Sequence, residues 1–331
     1  MKDKDNLKRI LKICWFVLLV LVIVNCVIKM NSSYGLFTKT VDSDNLGWNT
    51  THTKPELGSG AEYIQNLAGK YNRHCTTDAI GSSSLAYDCT KDNNLRYIGI
   101  NPNNYVKFNN ELWRIIGVMN DIEDSNGKIH SQLKLVRNDF AYTGVAFDTN
   151  NVNDYSQSSL KTILNGEYLD KIDSNSKNMI DSVVWNLGAS YEDFPLQMYK
   201  NERGSNVFNN HNAFWIGKIG LIYPSDFKFA VVSENNELRK KCLNLKYLYK
   251  ESDCYNNDYL NKWLYWTLTP EISNKYESIL LFIVGDGQVW HPNNIYANVA
   301  ACNVLPTLYL KPSVKITGGS GTSSDPYTLS L

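Results

Sequence analysis

The chain has 331 residues and balances 33 Lys and Arg against 33 Asp and Glu, so its formal net charge is +0. A neutral chain lacks the basic surface that nucleic acid requires, and it has little attraction for an anionic membrane surface. Outside an N-terminal apolar segment about 300 residues remain, enough for one large domain or two small ones with a proper core.

An uncharged apolar run occupies residues 13–28. With its neighbours it reaches about 19 positions, near the roughly 20 that a membrane-spanning helix needs. Basic residues precede the run and only Lys29 follows it closely, so the positive-inside rule keeps the N-terminus in the cytoplasm. The sequence therefore predicts a single-pass plasma-membrane protein with a basic cytoplasmic tail at 1–12, a transmembrane signal-anchor at 13–29 and an extracytoplasmic remainder. A cleaved signal peptide and a lipidated Cys26 are the alternatives.

The extracytoplasmic part begins with a polar stretch at 30–58 that contains Gly and Pro and has no sustained period, which predicts a stalk or linker. Ser59 then precedes apolar residues at helical spacing in 61–69, so a short amphipathic helix is expected to open the domain. We assign the folded domain to residues 59–316. The Gly- and Ser-rich end, 317–331, is expected to be flexible or tightly turned.

Alternating polar and apolar residues predict four strands in the first half of the domain, at 96–100, 105–108, 111–118 and 132–137. Asn109 and Asn110 suit a two-residue hairpin turn between the second and third strands, because Asn tolerates a positive φ. The same alternation places Trp113 in the core.

The second half of the domain mixes both kinds of element. Helical spacing occurs at 158–169 and 176–182, whereas 214–222 has a strand pattern that ends in a turn at 223–226. Near the C-terminus we expect an antiparallel unit with strands at 278–284, 288–290 and 303–310. The predicted fold class is therefore α+β.

Two of the seven Cys, Cys14 and Cys26, lie in the apolar run. Four of the others suit two local disulfides, each worth about 3 kcal/mol on a loop-entropy estimate. The pairs are Cys75 with Cys89 and Cys242 with Cys254. Separate reduced thiols are the alternative. A zinc site is the third option, but no C-x-x-C or H-x-x-x-H spacing occurs. No cofactor is therefore predicted, apart from the calcium considered below. Cys302 has small apolar neighbours and is interpreted as a buried hydrophobe.

Several strings are specific in combination: RYIG at 96–99, NPNNYV at 101–106, ELWRIIGV at 111–118, WTLTP at 266–270 and LYLKPSVKITGG at 308–319. Together they resemble an uncharacterised family of membrane-anchored or exported proteins from low-GC Gram-positive bacteria. The resemblance covers roughly residues 60–331 and implies no particular activity. Where relatives have Val-Arg-Pro before the last strand, this chain has Val304-Leu305-Pro306, so any contact made by that Arg is missing.

The C-terminal order of this family resembles that of C-type-lectin-like domains, a group that includes the formylglycine-generating enzymes. The shared order is an aromatic-Leu-Thr-Pro segment, a hairpin and a strand containing Pro. The resemblance implies a C-type-lectin-like mixed domain with antiparallel strands, tethered by the N-terminal helix. A shared fold carries no function with it.

Surface binding is our first hypothesis for the function, with a glycan or a surface protein as the ligand. The predicted contacts are Trp290, His291, Asn293, Asn294 and Tyr296. Aromatic side chains stack on sugar rings, and amides bond hydroxyl groups. Pro292-Asn293 also resembles the Pro-Asn of lectin calcium sites, but no second acidic partner accompanies it at a convincing spacing. The loop can therefore be interpreted either as a calcium site or as an ordinary polar loop.

Two further hypotheses belong to other classes. A structural or assembly component of the cell envelope would use the membrane helix as a tether and the domain as a packing surface. Catalysis is not predicted, because the chain has no nucleophile-elbow pattern or metal-binding pair, and its Cys spacings favour structural bridges over reactive thiols.

Overall fold

The computed structural model describes residues 52–69, 77–80, 84–191, 193–204, 207, 211–231, 235–254, 258–271, 281–285, 288–290 and 296–331. The predicted signal-anchor at 13–29 and most of the predicted stalk lie outside these residues. Within them, no helix combines the length and apolar character needed to cross a membrane. Residues 51–331 make up one unit, a mixed α+β fold built on antiparallel sheets.

The larger sheet has seven strands. They are β1 (Leu85–Tyr87), β2 (Leu95–Tyr97), β3 (Tyr105–Phe108), β4 (Glu111–Glu123), β5 (Ile129–Arg137), β9 (Ile219–Gly220) and β14 (Thr307–Tyr309). Their order is β1-β2-β4-β5-β14-β9, with β3 beside β4. The predicted hairpin is confirmed, since β3 pairs with β4 across Asn109 and Asn110, whose φ angles are 53° and 55°. Trp113 is fully buried, as its place in the alternation predicted.

The second sheet has five strands. They are β6 (Tyr142–Val145), β10 (Tyr265–Pro270), β11 (Leu281–Gly285), β12 (Gln288–Trp290) and β13 (Cys302–Val304). Their order is β12-β11-β10-β13-β6, and all pairs are antiparallel except β10 with β13. One cluster of buried side chains contains residues from both sheets, so the two share a core.

The single strand predicted at 303–310 is wrong. The chain leaves the second sheet after Val304 and enters the larger sheet at Thr307. Pro306 lies between them and has no N–H with which to continue a ladder. Its carbonyl accepts a hydrogen bond from the Arg137 N–H at 3.0 Å. Leu305 and Pro306 therefore link the two sheets.

The remaining strands among the described residues form two short ribbons: β7 (Val183–Asn186) with β8 (Phe214–Gly217), and β15 (Lys315–Gly318) with β16 (Thr328–Ser330). The strand predicted at 214–222 is thus divided at Lys218 between β8 and β9. The predicted boundary between domain and tail, at 316/317, falls inside β15.

The last residues are tightly turned and belong to the fold. The Tyr105 N–H donates to the carbonyl of Gly321 at 2.8 Å, and the Lys107 N–H donates to that of Tyr327 at 2.8 Å. These bonds place the chain from Tyr327 onward along β3. A flexible end, the other expectation for 317–331, does not describe these residues.

The helices are short. They are α1 (Gly60–Leu67), α2 (Ser159–Ile163), α3 (Leu169–Lys171), α4 (Ser174–Met179), α5 (Pro195–Glu202), α6 (Pro224–Phe229) and α7 (Asn236–Leu243), with a π-turn at Leu164–Tyr168 and 3₁₀ turns at Tyr155–Gln157 and Leu248–Lys250. The predicted start of α1 is confirmed, because the Ser59 hydroxyl accepts a hydrogen bond from the Glu62 N–H at 3.1 Å.

The turn predicted at 223–226 is instead the start of α6. Pro224 occupies the first helical turn, where its missing N–H costs nothing. The Asp226 carboxylate accepts a hydrogen bond from the Tyr223 N–H at 3.0 Å, which caps the start of the helix. Residues that favour a turn therefore start a helix here.

Candidate functional site

The predicted ligand loop lies mostly outside the described residues. Trp290 ends β12, whereas His291, Asn293 and Asn294 are not described. Tyr296 is 37% exposed, and its carbonyl accepts a hydrogen bond from the Val299 N–H at 3.0 Å. The role of this loop stays a prediction.

One predicted disulfide is confirmed, since Cys242 and Cys254 are bonded with their Cα atoms 5.5 Å apart. Cys89 is also disulfide-bonded, but Cys75 lies outside the described residues and that pairing stays a prediction. Cys302 is a free, buried thiol, and burial raises its pKa to about 12. A thiol with so high a pKa is a poor nucleophile. In the described part of the chain, no group of three or more His, Cys, Asp or Glu side chains could hold a metal ion.

A concave cleft of about 290 Å³ lies where the end of α1 meets the C-terminal hairpin. We call it the tyrosine groove, and its lining residues are Leu67, Ser84, Tyr97, Asn101, Asn103, Ser320 and Tyr327. None of these side chains carries a formal charge at neutral pH. The groove therefore offers only apolar, aromatic, amide and hydroxyl contacts.

Two tyrosines, Tyr97 and Tyr327, line the groove, and a third, Tyr63, contacts Tyr327 beside it. Tyr97 and Tyr327 are 2% and 3% exposed and make its floor. Tyr63 stands edge-on to Tyr327, with ring centroids 5.8 Å apart, and is 39% exposed. Burial raises the pKa of both floor hydroxyls, so they stay protonated and able to donate hydrogen bonds.

Two amides stand at the rim of the groove because the loop that carries them is fixed from below. Asn104 is fully buried; its Nδ2 donates to the Ile115 carbonyl at 2.7 Å, and its Oδ1 accepts from the Arg114 Nε at 2.5 Å. The neighbouring Asn101 and Asn103 are exposed, and their side chains make no hydrogen bond to any other described residue. Both amides are free to bind a ligand.

A second cleft, of about 330 Å³, lies at the other end of β3. Its lining is Lys107, Phe108, Asn109, Asn110, Asp173, Asn175, Ser176, Met179, Thr328 and Leu329. Some of its polar groups already bind one another: the Asp173 N–H donates to Asn109 Oδ1 at 2.9 Å, and the Asn109 N–H donates to the Ser176 hydroxyl at 3.1 Å. It contains charges of both signs, Lys107 and Asp173, so it suits a neutral ligand less well and is the weaker candidate.

A dense group of charges is buried in the described part of the chain, and no local pattern in the sequence indicated it. Asp226 accepts from Lys134 at 2.6 Å and from Arg96 at 2.6 Å, and Arg96 also donates to Asp88 at 2.7 Å. We call these four residues the buried ion cluster. Rings of Trp185, Tyr223 and Tyr309 surround the Lys134 ammonium at 4.5 to 5.7 Å.

Protonation in the buried ion cluster follows from burial and pairing. Burial lowers the pKa of Lys134 to about 8, even though Asp226 attracts the proton. Burial alone would raise the pKa of Asp226, but Lys134 and Arg96 hold it well below its usual range. These four side chains are buried and line neither of the two clefts described above, so we assign the cluster a role in organising the core.

Comparison of the chain with protein-family models, with curated proteins and with solved structures returned no match. The functional argument therefore rests on the tyrosine groove. No pattern in the sequence indicated this groove, because its lining residues come from segments as far apart as Leu67 and Tyr327.

Proposed function

We propose that this protein is a membrane-anchored extracytoplasmic binding protein and that its tyrosine groove holds a neutral, hydroxyl-rich ligand such as a surface glycan. One observation carries the proposal: an uncharged concave surface combines aromatic rings with two exposed amides, Asn101 and Asn103, that have no partner among the described residues.

Each part of the groove suits one property of a sugar. Tyrosine rings pack against the apolar face of a sugar ring, and Tyr63, which stands beside the groove against Tyr327, is exposed enough to do so. Amides both donate and accept hydrogen bonds, as a hydroxyl group requires. The volume of about 290 Å³ is at the small end of ligand pockets, which start at roughly 300 Å³. We infer that the groove takes a single unit of a longer chain.

The same lining supports binding without catalysis. The groove residues include no carboxylate, His or Cys, and the floor hydroxyls of Tyr97 and Tyr327 stay protonated. A general base or a nucleophile would have to come from elsewhere.

For the fold, we infer a C-type-lectin-like arrangement of the domain. What supports it is the C-terminal order of β10, the β11–β12 hairpin, β13 and β14, which follows the order implied by the family resemblance. The membrane tether is inferred from the apolar run at 13–28 and its flanking charges.

The proposal is tested with the full chain in detergent, by retention on a glycan array and on isolated bacterial cell walls, with calcium and with chelator. Replacing both amides, Asn101→Ala with Asn103→Ala, is expected to weaken binding about 10- to 30-fold, since two hydrogen bonds of about 1 kcal/mol each are lost. Tyr63→Ala should weaken it about fivefold or more through lost stacking.

Asn175→Ala is the matched control, because Asn175 is an exposed amide that lines the second cleft. It should bind like the parent chain. Loss in this variant alone would move the site to the second cleft, and full retention by all variants would refute the groove. Loss of binding in chelator would instead indicate a calcium site in the predicted loop around Asn293.

A further inference from the structure

β8 is the outer strand of its ribbon. It pairs with β7 on one side, with Val184 opposite Ile216 and Asn186 opposite Phe214. On its other side, no strand among the described residues lies against it.

One hydrogen bond determines which backbone groups of β8 are free. The Leu187 N–H donates to the Ala213 carbonyl at 2.8 Å. In an antiparallel pair this bond makes Asn186 and Phe214 a non-hydrogen-bonded pair, so Trp215 and Gly217 are the residues that bond to β7. The N–H and C=O groups of Phe214 and Ile216 therefore point away from β7. No described residue hydrogen-bonds to them.

The side chains at this edge are apolar and exposed. Phe214 is 54% exposed and Ile216 is 45% exposed. Natural proteins protect such edges with charged residues, Pro or a bulge, and β8, with the sequence Phe-Trp-Ile-Gly, has none of these. An unprotected apolar edge suits a further strand.

We propose that β8 pairs in antiparallel orientation with β8 of a second copy of this chain, joining two ribbons into a four-stranded sheet. The edge is self-complementary, because it presents two donors and two acceptors on residues two positions apart. A two-fold axis at Trp215 places Phe214 of each copy opposite Ile216 of the other, so all four groups on each edge find partners.

Side chains and charge also fit a second copy. Aromatic residues opposite β-branched residues are favourable cross-strand pairs. Neither β7 nor β8 contains a charged residue, and the chain has a formal net charge of +0, so two copies meet without repulsion. A two-stranded ribbon is marginal alone, whereas four strands with an apolar face are more stable. The contact is small, so the dimer should be weak and depend on concentration.

The pairing does not depend on the tyrosine groove. If both hold, a dimer carries two grooves, and a polymeric ligand that reaches both would bind more tightly than one copy allows.

The register is tested by disulfide trapping of the full chain in detergent, with Cys14→Ser and Cys26→Ser in every sample. Phe214→Cys and Ile216→Cys are prepared separately and also mixed. In the proposed register these two positions face each other only across different chains. The mixture should therefore give at least fivefold more cross-linked dimer than either variant alone. Equal cross-linking in the unmixed samples would overturn the register.

A second measurement does not rely on cross-linking. Light scattering over a concentration series should show a monomer–dimer equilibrium that Ile216→Lys weakens at least tenfold. Ile129→Lys is the control, since Ile129 is 43% exposed on β5, and it should leave the equilibrium unchanged. A parent chain that is monomeric throughout, or a dimer that Ile216→Lys leaves intact, would refute the proposal and leave the edge to a strand of another protein.

Discussion

The Lys134 ammonium lies 2.6 Å from Oδ2 of Asp226, and neither side chain is exposed to solvent. Lys134 is on β5 and Asp226 is in the first turn of α6, so the pair ties a central strand to a helix. Arg96, on β2, binds the other oxygen of the same carboxylate. Asp226 thus connects β2, β5 and α6 and compensates the charges of two buried cations.

Asp226→Asn should therefore lower the free energy of unfolding of a 51–331 fragment by about 3 to 5 kcal/mol, since it leaves buried cations without their anion. Urea unfolding measures the change. Glu167→Gln is the control: Glu167 pairs with Lys171 on the surface, and its loss should not be measurable. A loss below about 1 kcal/mol in Asp226→Asn would show that Asp88 compensates Arg96 unaided and that Lys134 is uncharged in the variant.

Asp258 should make stability depend on pH. Burial raises its pKa from 3.8 to about 8, and its Oδ2 atom has no hydrogen-bond partner among the described residues. The folded state holds the proton on Asp258 more tightly than the unfolded state does. The contribution of Asp258 to the free energy of unfolding is therefore complete below pH 3.8 and is lost as the pH rises through about 8. The free energy of unfolding should decrease as the pH is raised from 4 to 8.

Asp258→Asn keeps the shape and removes the titration. It should match the parent near pH 4 and exceed its stability at pH 8 by on the order of 2 kcal/mol. A shallower fall should persist in the variant, because burial raises the pKa of Glu202 to about 7. Parallel pH profiles for the two proteins would contradict this assignment.

The Cys242–Cys254 bridge should stabilise the fragment through its effect on the unfolded chain. Replacing both residues by Ser is expected to lower the free energy of unfolding by about 3 kcal/mol, the loop-entropy value for a short loop. Both sulfur positions are buried, so some loss of packing adds to it. Urea unfolding without reductant provides the measurement, and an unchanged midpoint would mean that the bridge closes a loop already ordered in the unfolded state.

Gly321 links the C-terminal turn to the tyrosine groove. Its φ is +76°, and a Cβ there would collide with the Asn103 carbonyl and the Tyr327 ring. Gly321→Ala should destabilise the fold by more than the roughly 1 to 2 kcal/mol of a left-handed residue, and it should weaken ligand binding because both displaced residues line the groove.

Gly58→Ala is the control that distinguishes the effect of backbone strain from that of a steric clash. Gly58 has a φ of +74°, and a Cβ added to it would meet no atom within 4 Å, so this variant should show the strain alone and bind ligand normally. Equal effects of the two substitutions would mean that the turn at Gly321 yields without moving Asn103 or Tyr327.

Local signals predicted the parts of the fold that local chemistry determines. Ser59 caps α1, and Asn109 with Asn110 turns the β3–β4 hairpin, because each residue acts within a few positions of itself. The wrong predictions fall where contacts with distant residues determine the local conformation. Pro224 is compatible with both a turn and a first helical turn, and only the packing of α6 selects the helix.

The candidate site and the buried ion cluster were beyond prediction for a related reason. Lys134 alternates with apolar neighbours on β5, a pattern that predicts a solvent-facing side chain, yet it is fully buried against Asp226, 92 positions away. The groove likewise assembles Tyr97 and Tyr327 from opposite ends of the domain. The periodicity of a single segment does not predict contacts between residues so far apart in the sequence.

The bonds that seat Tyr327 beside β3 also set an order of events during synthesis. Most of the groove lining, from Leu67 to Asn103, is made early, but the floor is incomplete until residues beyond 327 have left the ribosome and the Tyr327 N–H has bonded to the Tyr105 carbonyl. If the tyrosine groove holds the proposed ligand, a chain that terminates anywhere before β16 should lack that binding.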